Sequence, residues 1–378
     1  MAPETNGGAF PIQAIDHIEF WVGNARQSAY YFTNAWGFCP SAYAGLETGV
    51  RDHASHLVVQ GDIRFVFSGA LQPDSPIAGH VARHGDGVKD VAFRVPDAEE
   101  AYRLAVERGA RGIKEPTVSE DEHGKVVRAA IGTYGETIHS FIQRSEYSGP
   151  FLPGFRATGG VAGPDGAGGP GARSGVGIKA VDHVVGNVEL GKMNTWAAYY
   201  ADIMGFTNLV HFRDDQISTD YTALMSKVMW DGVGRVKLPI NEPAPGKKKS
   251  QIDEYLDFYR GPGVQHMALL SDDILSTVQR LRGGGVEFLP VPDAYYEEVR
   301  ERFSDLRDVD VAALQSQRIL ADRDEEGYLL QIFTKPVVDR PTIFFEIIER
   351  HGSRGFGLGN FKALFEAIER EQALRGTL

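Results

Sequence analysis

The stretch Pro341-Thr342-Ile343-Phe344-Phe345-Glu346-Ile347-Ile348-Glu349-Arg350-His351-Gly352 decides how the rest of the chain reads. An apolar run of this length, bounded by Pro and Gly, suits a buried strand. Glu346 stands in its middle. A buried carboxylate is costly unless it is paired or ligates a metal. Taken alone, Glu346 is equally well served by a salt bridge or by an outward turn on an edge strand. Two histidines in matching strand contexts shift the balance towards a metal. They are His183, in Ala180-Val181-Asp182-His183-Val184, and His266, in Gly263-Val264-Gln265-His266-Met267-Ala268-Leu269.

Those contexts belong to an internal repeat. Ala14-Ile15-Asp16-His17-Ile18 matches Ala180 to Val184, and Gly87-Val88-Lys89-Asp90-Val91-Ala92-Phe93 matches Gly263 to Leu269. A helical stripe of Ala25, Ala29, Phe32 and Trp36 ends at Gly37-Phe38. A second stripe, of Met193, Trp196, Ala197, Tyr200 and Met204, ends at Gly205-Phe206. Thr137 to Arg144 matches Thr342 to Arg350. Self-similarity on this scale means duplicated modules. Each reads β-α-β-β-β, twice per half, which gives an α+β fold. Residues 151–178 hold ten glycines and three prolines, a linker composition. The expected division is therefore 12–150, a linker at 151–178, and 179–378, with residues 1–10 as a disordered leader.

The repeat supplies its own control. Where the second half has His183, His266 and Glu346, the first has His17, Asp90 and Ser140. A metal site needs all its ligands together, so a site is expected in the C-terminal half only. Two imidazoles and a carboxylate with open positions suit non-haem Fe(II). Zinc accepts the same donors, so ligand type alone does not choose.

Composition narrows the classes. The chain has 378 residues, a net charge of −12 and one cysteine, Cys39. Acidity argues against a nucleic-acid surface, which needs clustered Lys and Arg. The sole basic run, Lys247-Lys248-Lys249, lies among Pro and Gly. No apolar run reaches 18 residues and no basic, hydrophobic leader is present, so a cytoplasmic protein without membrane association is expected. A lone cysteine suits a reducing compartment.

Isolated amides and a hydroxyl are pocket candidates: Gln331, within an apolar strand, and Ser226, Asn241 and Gln251. Gln265 adjoins His266, and strand alternation turns it to the opposite face unless a bulge intervenes. Near the C-terminus, Asn360 is expected to N-cap a helix carrying Phe361, Leu364, Phe365 and Ile368 on one stripe. Hinged on Gly355, Gly357 and Gly359, that helix reads as a lid.

With these residues in place, the chain resembles the 4-hydroxyphenylpyruvate dioxygenase family of the vicinal-oxygen-chelate superfamily, from residue 12 to the C-terminus and more weakly in the linker. The telling segments include Leu224-Met225-Ser226-Lys227, Pro239-Ile240-Asn241-Glu242-Pro243, Gly263-Val264-Gln265-His266, Leu330-Gln331-Ile332-Phe333 and Gly359-Asn360-Phe361. The resemblance implies two tandem domains of paired βαβββ modules forming open barrel-like sheets, plus a C-terminal gate helix. It implies that His183, His266 and Glu346 bind Fe(II). Ser226, Asn241, Gln251, Gln265 and Gln331 would form a polar network around the substrate. Phe333, Phe344, Phe356, Phe361 and Leu364 would form walls and gate. The implied reaction turns 4-hydroxyphenylpyruvate and O2 into homogentisate and CO2, in tyrosine catabolism, by a homodimer or homotetramer. The alternative is 4-hydroxymandelate synthase, which resembles the same family and hydroxylates the benzylic carbon. A non-catalytic binding protein on the same modules and an extradiol ring-cleaving enzyme are further readings.

Overall fold

The computed structural model describes residues 10–159, 175–212, 222–306 and 309–378. The leader and most of the Gly-rich stretch lie outside them. The first half runs β1 (Ala14–Trp21), α1 (Ala25–Trp36), β2 (Cys39–Ala44), β3 (His53–Gln60), β4 (Ile63–Ala70), α2 (Pro76–His84), β5 (Gly87–Arg94), α3 (Ala98–Glu107), β6 (Gly112–Asp121), β7 (Gly124–Gly132), β8 (Ile138–Gln143) and β9 (Arg156–Ala157). The second runs β10 (Ile178–Asn187), α4 (Met193–Met204), β11 (Thr207–Phe212), β12 (Ala223–Trp230), β13 (Lys237–Ala244), α5 (Gln251–Tyr259), β14 (Gly263–Ser271), α6 (Ile274–Gly283), α7 (Asp293–Arg302) and α8 (Val311–Gln317). It closes with β15 (Leu320–Arg323), β16 (Tyr328–Phe333), β17 (Phe344–His351) and α9 (Phe361–Arg375).

Each half forms one curled sheet, ordered β6-β7-β8-β5-β1-β4-β3-β2-β9 and β11-β12-β13-β10-β14-β17-β16-β15. In each, two β-α-β-β-β modules meet along an antiparallel central pair, β1 with β5 and β10 with β14. The first helix of each half ends at a left-handed glycine, Gly37 (φ 71°) or Gly205 (φ 67°), where a side chain would strain the backbone.

Both central pairs are bulged at two equivalent positions, and β10–β14 has a third shift near Ile178. In β10 against β14 the register skips Asp182, and on the other strand it skips Gln265. In β1 against β5 the skipped residues are Asp16 and Lys89, the repeat equivalents. A bulge puts two residues opposite one and re-aims a side chain. Here it frees the residue beside each histidine from strict alternation.

β17 lies between β14 and β16, not at an edge. Its two faces differ. Phe345 packs on Trp36 (4.8 Å) and Phe32 (5.5 Å) of the first half, within a core that continues from one half into the other. Phe344 and Glu346 face the hollow of the second sheet. α9 begins where expected, but Asn360 does not cap it. A 3-10 turn, Leu358–Asn360, leads straight into the helix, and Asn360 Oδ1 accepts from the Tyr295 hydroxyl at 2.6 Å. No helix among the described residues is long and apolar enough to cross a membrane.

Candidate metal centre

The second sheet curls around a pocket that residues of α9 cover. Alternate residues of neighbouring strands line it: His183 and Val185 of β10, Leu224, Ser226 and Val228 of β12, Pro239 and Asn241 of β13, Phe344 and Glu346 of β17. β14 contributes Gln265 and His266 together, through the bulge. Phe333, Gln251, Phe356, Phe361 and Leu364, also read from the sequence, line it too. Phe212, Leu224, Val228, Pro239 and Phe365 also line it. Apart from Phe365, which the lid stripe already held, they escaped sequence reading because an apolar wall residue has the same signature as core.

His183 Nε2 lies 3.2 Å and His266 Nε2 3.8 Å from Glu346 Oε2. All three ligand atoms fall within 4.8 Å of one another. Atoms sharing an ion at about 2.0–2.2 Å stand about 3–4 Å apart, so this trio fits a metal. Each imidazole is held from its far side, as ligating histidines are. His183 Nδ1 donates to Asp182 Oδ1 at 2.7 Å, and His266 Nδ1 donates to Gln265 Oε1 at 3.0 Å. Both oxygens belong to bulge residues. Phe344 stacks on the His266 ring at 4.7 Å and Phe356 meets the His183 ring edge-on at 5.0 Å.

Asp182 is itself clamped. Arg350 reaches both its oxygens at 2.8 Å, and Lys237 Nζ donates to Oδ2 at 3.0 Å. Burial raises the Asp182 pKa, but the hydrogen bonds from His183 and Arg350 outweigh it and hold the carboxyl well below the usual range. For His183, burial favours the neutral ring, yet Glu346 and Asp182 on either side raise its pKa. Burial and the neighbouring His183 push His266 well below the ordinary value. The site thus draws positive charge between His183 and Glu346, where a cation would replace a proton.

The first half shows what the same frame becomes without ligands. Ser140 pairs with Ala130 as Glu346 pairs with Phe333, so Arg128 stands where Gln331 does. Its guanidinium fills the equivalent space, with Nη2 3.2 Å from Asp90 Oδ2 and 3.3 Å from Ser140 Oγ. Ser140 Oγ donates to Asp90 at 2.5 Å. A fixed guanidinium stands where the second half gathers its three candidate ligands.

Gln331 is the exception among the expected pocket residues. It does not line the cavity. It is buried, and neither amide atom finds a partner. Gly357 covers it: a Cβ there would lie 2.5 Å from Gln331 Nε2.

Comparison with known proteins agrees with this geometry. The family model described as "Hydroxyphenylpyruvate dioxygenase, HPPD, N-terminal" matches residues 10–150, and that of the "Glyoxalase/Bleomycin resistance protein/Dioxygenase superfamily" matches 180–332. A 4-hydroxyphenylpyruvate dioxygenase of Yarrowia lipolytica is 49% identical over 370 residues, covering 96% of this chain and 93% of that one. One of Aspergillus fumigatus is 47% identical over 380 residues, with the same coverage. Among solved structures, a triple mutant of 4-hydroxymandelate synthase from Streptomyces coelicolor superposes with a TM-score of 0.83. It is 33% identical and covers 96% of this chain and 99% of that one. Two family models laid end to end, and near-full-length identity approaching one half, leave one conclusion: the chain belongs to the 4-hydroxyphenylpyruvate dioxygenase family.

Proposed function

We propose that this protein converts 4-hydroxyphenylpyruvate and O2 to homogentisate and CO2, with Fe(II) held by His183, His266 and Glu346. The observation that carries the reading is the meeting of three ligand atoms within 4.8 Å on the wall of an aromatic cavity. When bound, ferrous iron supplies Lewis acidity and the electrons for oxygen chemistry, which side chains lack.

The side chains do the rest. Phe333 and Phe344, edge-on and stacked against His266, give the substrate ring a slot beside the metal ligands. Ser226, Asn241, Gln251 and Gln265 offer the hydroxyl and amide groups that the phenol and keto acid need. Gln265 Nε2 donates to Gln251 Oε1 at 3.4 Å, and its own Oε1 is taken by His266, so it links substrate and ligand shell. Phe356, Phe361 and Leu364 exclude water. Gln331, with its amide unpaired, joins the polar network when α9 shifts and Gly357 uncovers it. In the net reaction CO2 leaves, the side chain moves to the adjacent ring carbon, and both atoms of O2 are retained in the products.

The relatives at 47–49% identity carry the dioxygenase name, which favours ring attack over benzylic hydroxylation. The cytoplasm is the compartment we propose. A homodimer or homotetramer is proposed on the exposed apolar side chains Ile113 and Val118 of edge strand β6. The test is product analysis by mass and NMR after O2 uptake with 4-hydroxyphenylpyruvate and Fe(II)-loaded protein. Homogentisate is expected. 4-Hydroxymandelate, or no turnover, overturns the reading.

A further inference from the structure

We infer that the protein carries a second, structural metal site, for a zinc-like divalent ion, formed by His80, His84 and Glu136 where the two halves meet. This site is independent of the catalytic reading. It lies outside the repeat-equivalent positions, so the repeat could not reveal it, and it amends the expectation of a metal in the C-terminal half alone.

His80 and His84 sit one turn apart on α2 and so share a face. Glu136 enters from the tight turn between β7 and β8. Its Oε2 lies 3.3 Å from His80 Nδ1 and 3.3 Å from His84 Nε2. The edge of a tetrahedron around an ion with bonds of about 2.0–2.1 Å is about 3.3–3.4 Å. The three ligand atoms lie within 4.8 Å of one another.

His80 Nδ1 meets Oε2 with hydrogen-bond geometry, as a histidine–carboxylate pair does; three features on the His84 side point to an ion. First, His84 Nδ1 donates to the Tyr259 carbonyl at 2.5 Å. That bond fixes the tautomer and leaves a lone pair on Nε2, the usual arrangement of a ligating histidine. Second, the lone pair meets a carboxylate oxygen at 3.3 Å without hydrogen-bond geometry, and His84 Nε2 has no partner although it is buried. Two acceptors facing each other repel, and a cation between them removes the repulsion. The offset has the right sense, because donors that share an ion point at the ion and not at each other. Third, Arg83 Nη1 binds the other oxygen, Oε1, at 2.8 Å. Oε2 is thereby turned towards the histidines. Glu136 is 37% exposed, which leaves the fourth position to water. Nitrogen-rich tetrahedral coordination favours zinc over calcium or magnesium.

The surroundings give the ion a purpose. Tyr259 ends α5, whose first residue, Gln251, lines the catalytic cavity. The β7–β8 turn also touches the second half: a Cβ on Gly135 would lie 2.3 Å from the Pro262 carbonyl. Arg340 of the second half donates to the Arg83 carbonyl at 2.7 Å and to the Phe258 carbonyl at 3.1 Å. An ion here staples α2 and the turn to the end of α5.

The test is metal stoichiometry of the full-length protein, stripped with chelator and re-equilibrated in zinc buffered to nanomolar free ion, read by mass spectrometry. Wild type is expected to bind two ions per chain, Glu346→Ala one, and His84→Gln one. If His84→Gln fails to fold, Glu136→Gln replaces it. One ion in wild type and none in Glu346→Ala overturn the inference. So does a His84→Gln or Glu136→Gln protein that still binds two.

Discussion

Replacing Asp182 by Asn keeps the shape of the side chain behind His183 and removes its charge. Four donors now converge on two carboxylate oxygens. Oδ1 takes His183 Nδ1 and Arg350 Nη2, and Oδ2 takes Arg350 Nε and Lys237 Nζ. An amide has one acceptor oxygen, so one pair of donors must face an NH2 group. If the oxygen stays on His183, Arg350 Nε and Lys237 lose a buried partner. Breaking a buried ion pair from one side costs about 3–5 kcal/mol, and the retained contacts place this change near the lower end. If the oxygen turns to Arg350, His183 Nδ1 loses its acceptor and Nε2 is no longer reserved for metal. Losing such support costs about 10–100-fold in metal affinity, or about 1.4–2.7 kcal/mol. The assay is the Fe(II) concentration that half-restores turnover, with a denaturant melt on the same samples. Asp16→Asn is the control. Asp16 holds His17 Nδ1 at 2.8 Å, Arg94 Nη2 at 3.0 Å and Arg144 Nη2 at 2.5 Å, a similar clamp with no metal attached. It should lose comparable stability and leave Fe(II) affinity unchanged. Wild-type Fe(II) affinity in Asp182→Asn, or equal weakening in Asp16→Asn, refutes the reasoning.

Three further outcomes follow from the packing. Gly357→Ala places a methyl against Gln331 at a backbone φ of +75°, so it should destabilise by about 1–3 kcal/mol and raise KM as α9 is displaced; a melt and steady-state kinetics on one preparation check both. His139 is buried between the Val91 carbonyl and the Tyr200 hydroxyl, and burial lowers its pKa to about 4. The unfolded chain takes up this proton below about pH 6.5 and the folded chain only near pH 4, so stability present above pH 6.5 is lost on acidification. The loss reaches about 3 kcal/mol, and denaturation of His139→Asn should show a flatter pH dependence over that window. Arg128→Met strips the cation from buried Asp90 and should cost about 3–5 kcal/mol, while turnover per folded chain and active-site metal stay at wild-type values.

Much of this was legible because duplication repeats a pattern. The paired segments at Ala14 and Ala180, and at Gly87 and Gly263, show the modules without tertiary information. The three ligands stand out because their counterparts differ. What stayed hidden depends on contacts distant in sequence. Strand alternation turns Gln265 away from His266, and only the bulge opposite Val185 and Gly186 brings it round. Asn360 has the composition of a cap, but Tyr295 claims its oxygen. α2 and α5 are amphipathic but only nine residues long, while α7 and strand β6 carry little apolar periodicity and fold on what they pack against. His80 and His84 gain meaning only once Glu136 folds over them.

The central claim is that one ion sits among His183, His266 and Glu346. Anomalous diffraction at the iron edge, from crystals grown anaerobically with Fe(II), tests it most directly. A peak is expected about 2.0–2.3 Å from His183 Nε2, His266 Nε2 and a Glu346 carboxylate oxygen. Iron bound elsewhere, with these three side chains left uncoordinated, would contradict it.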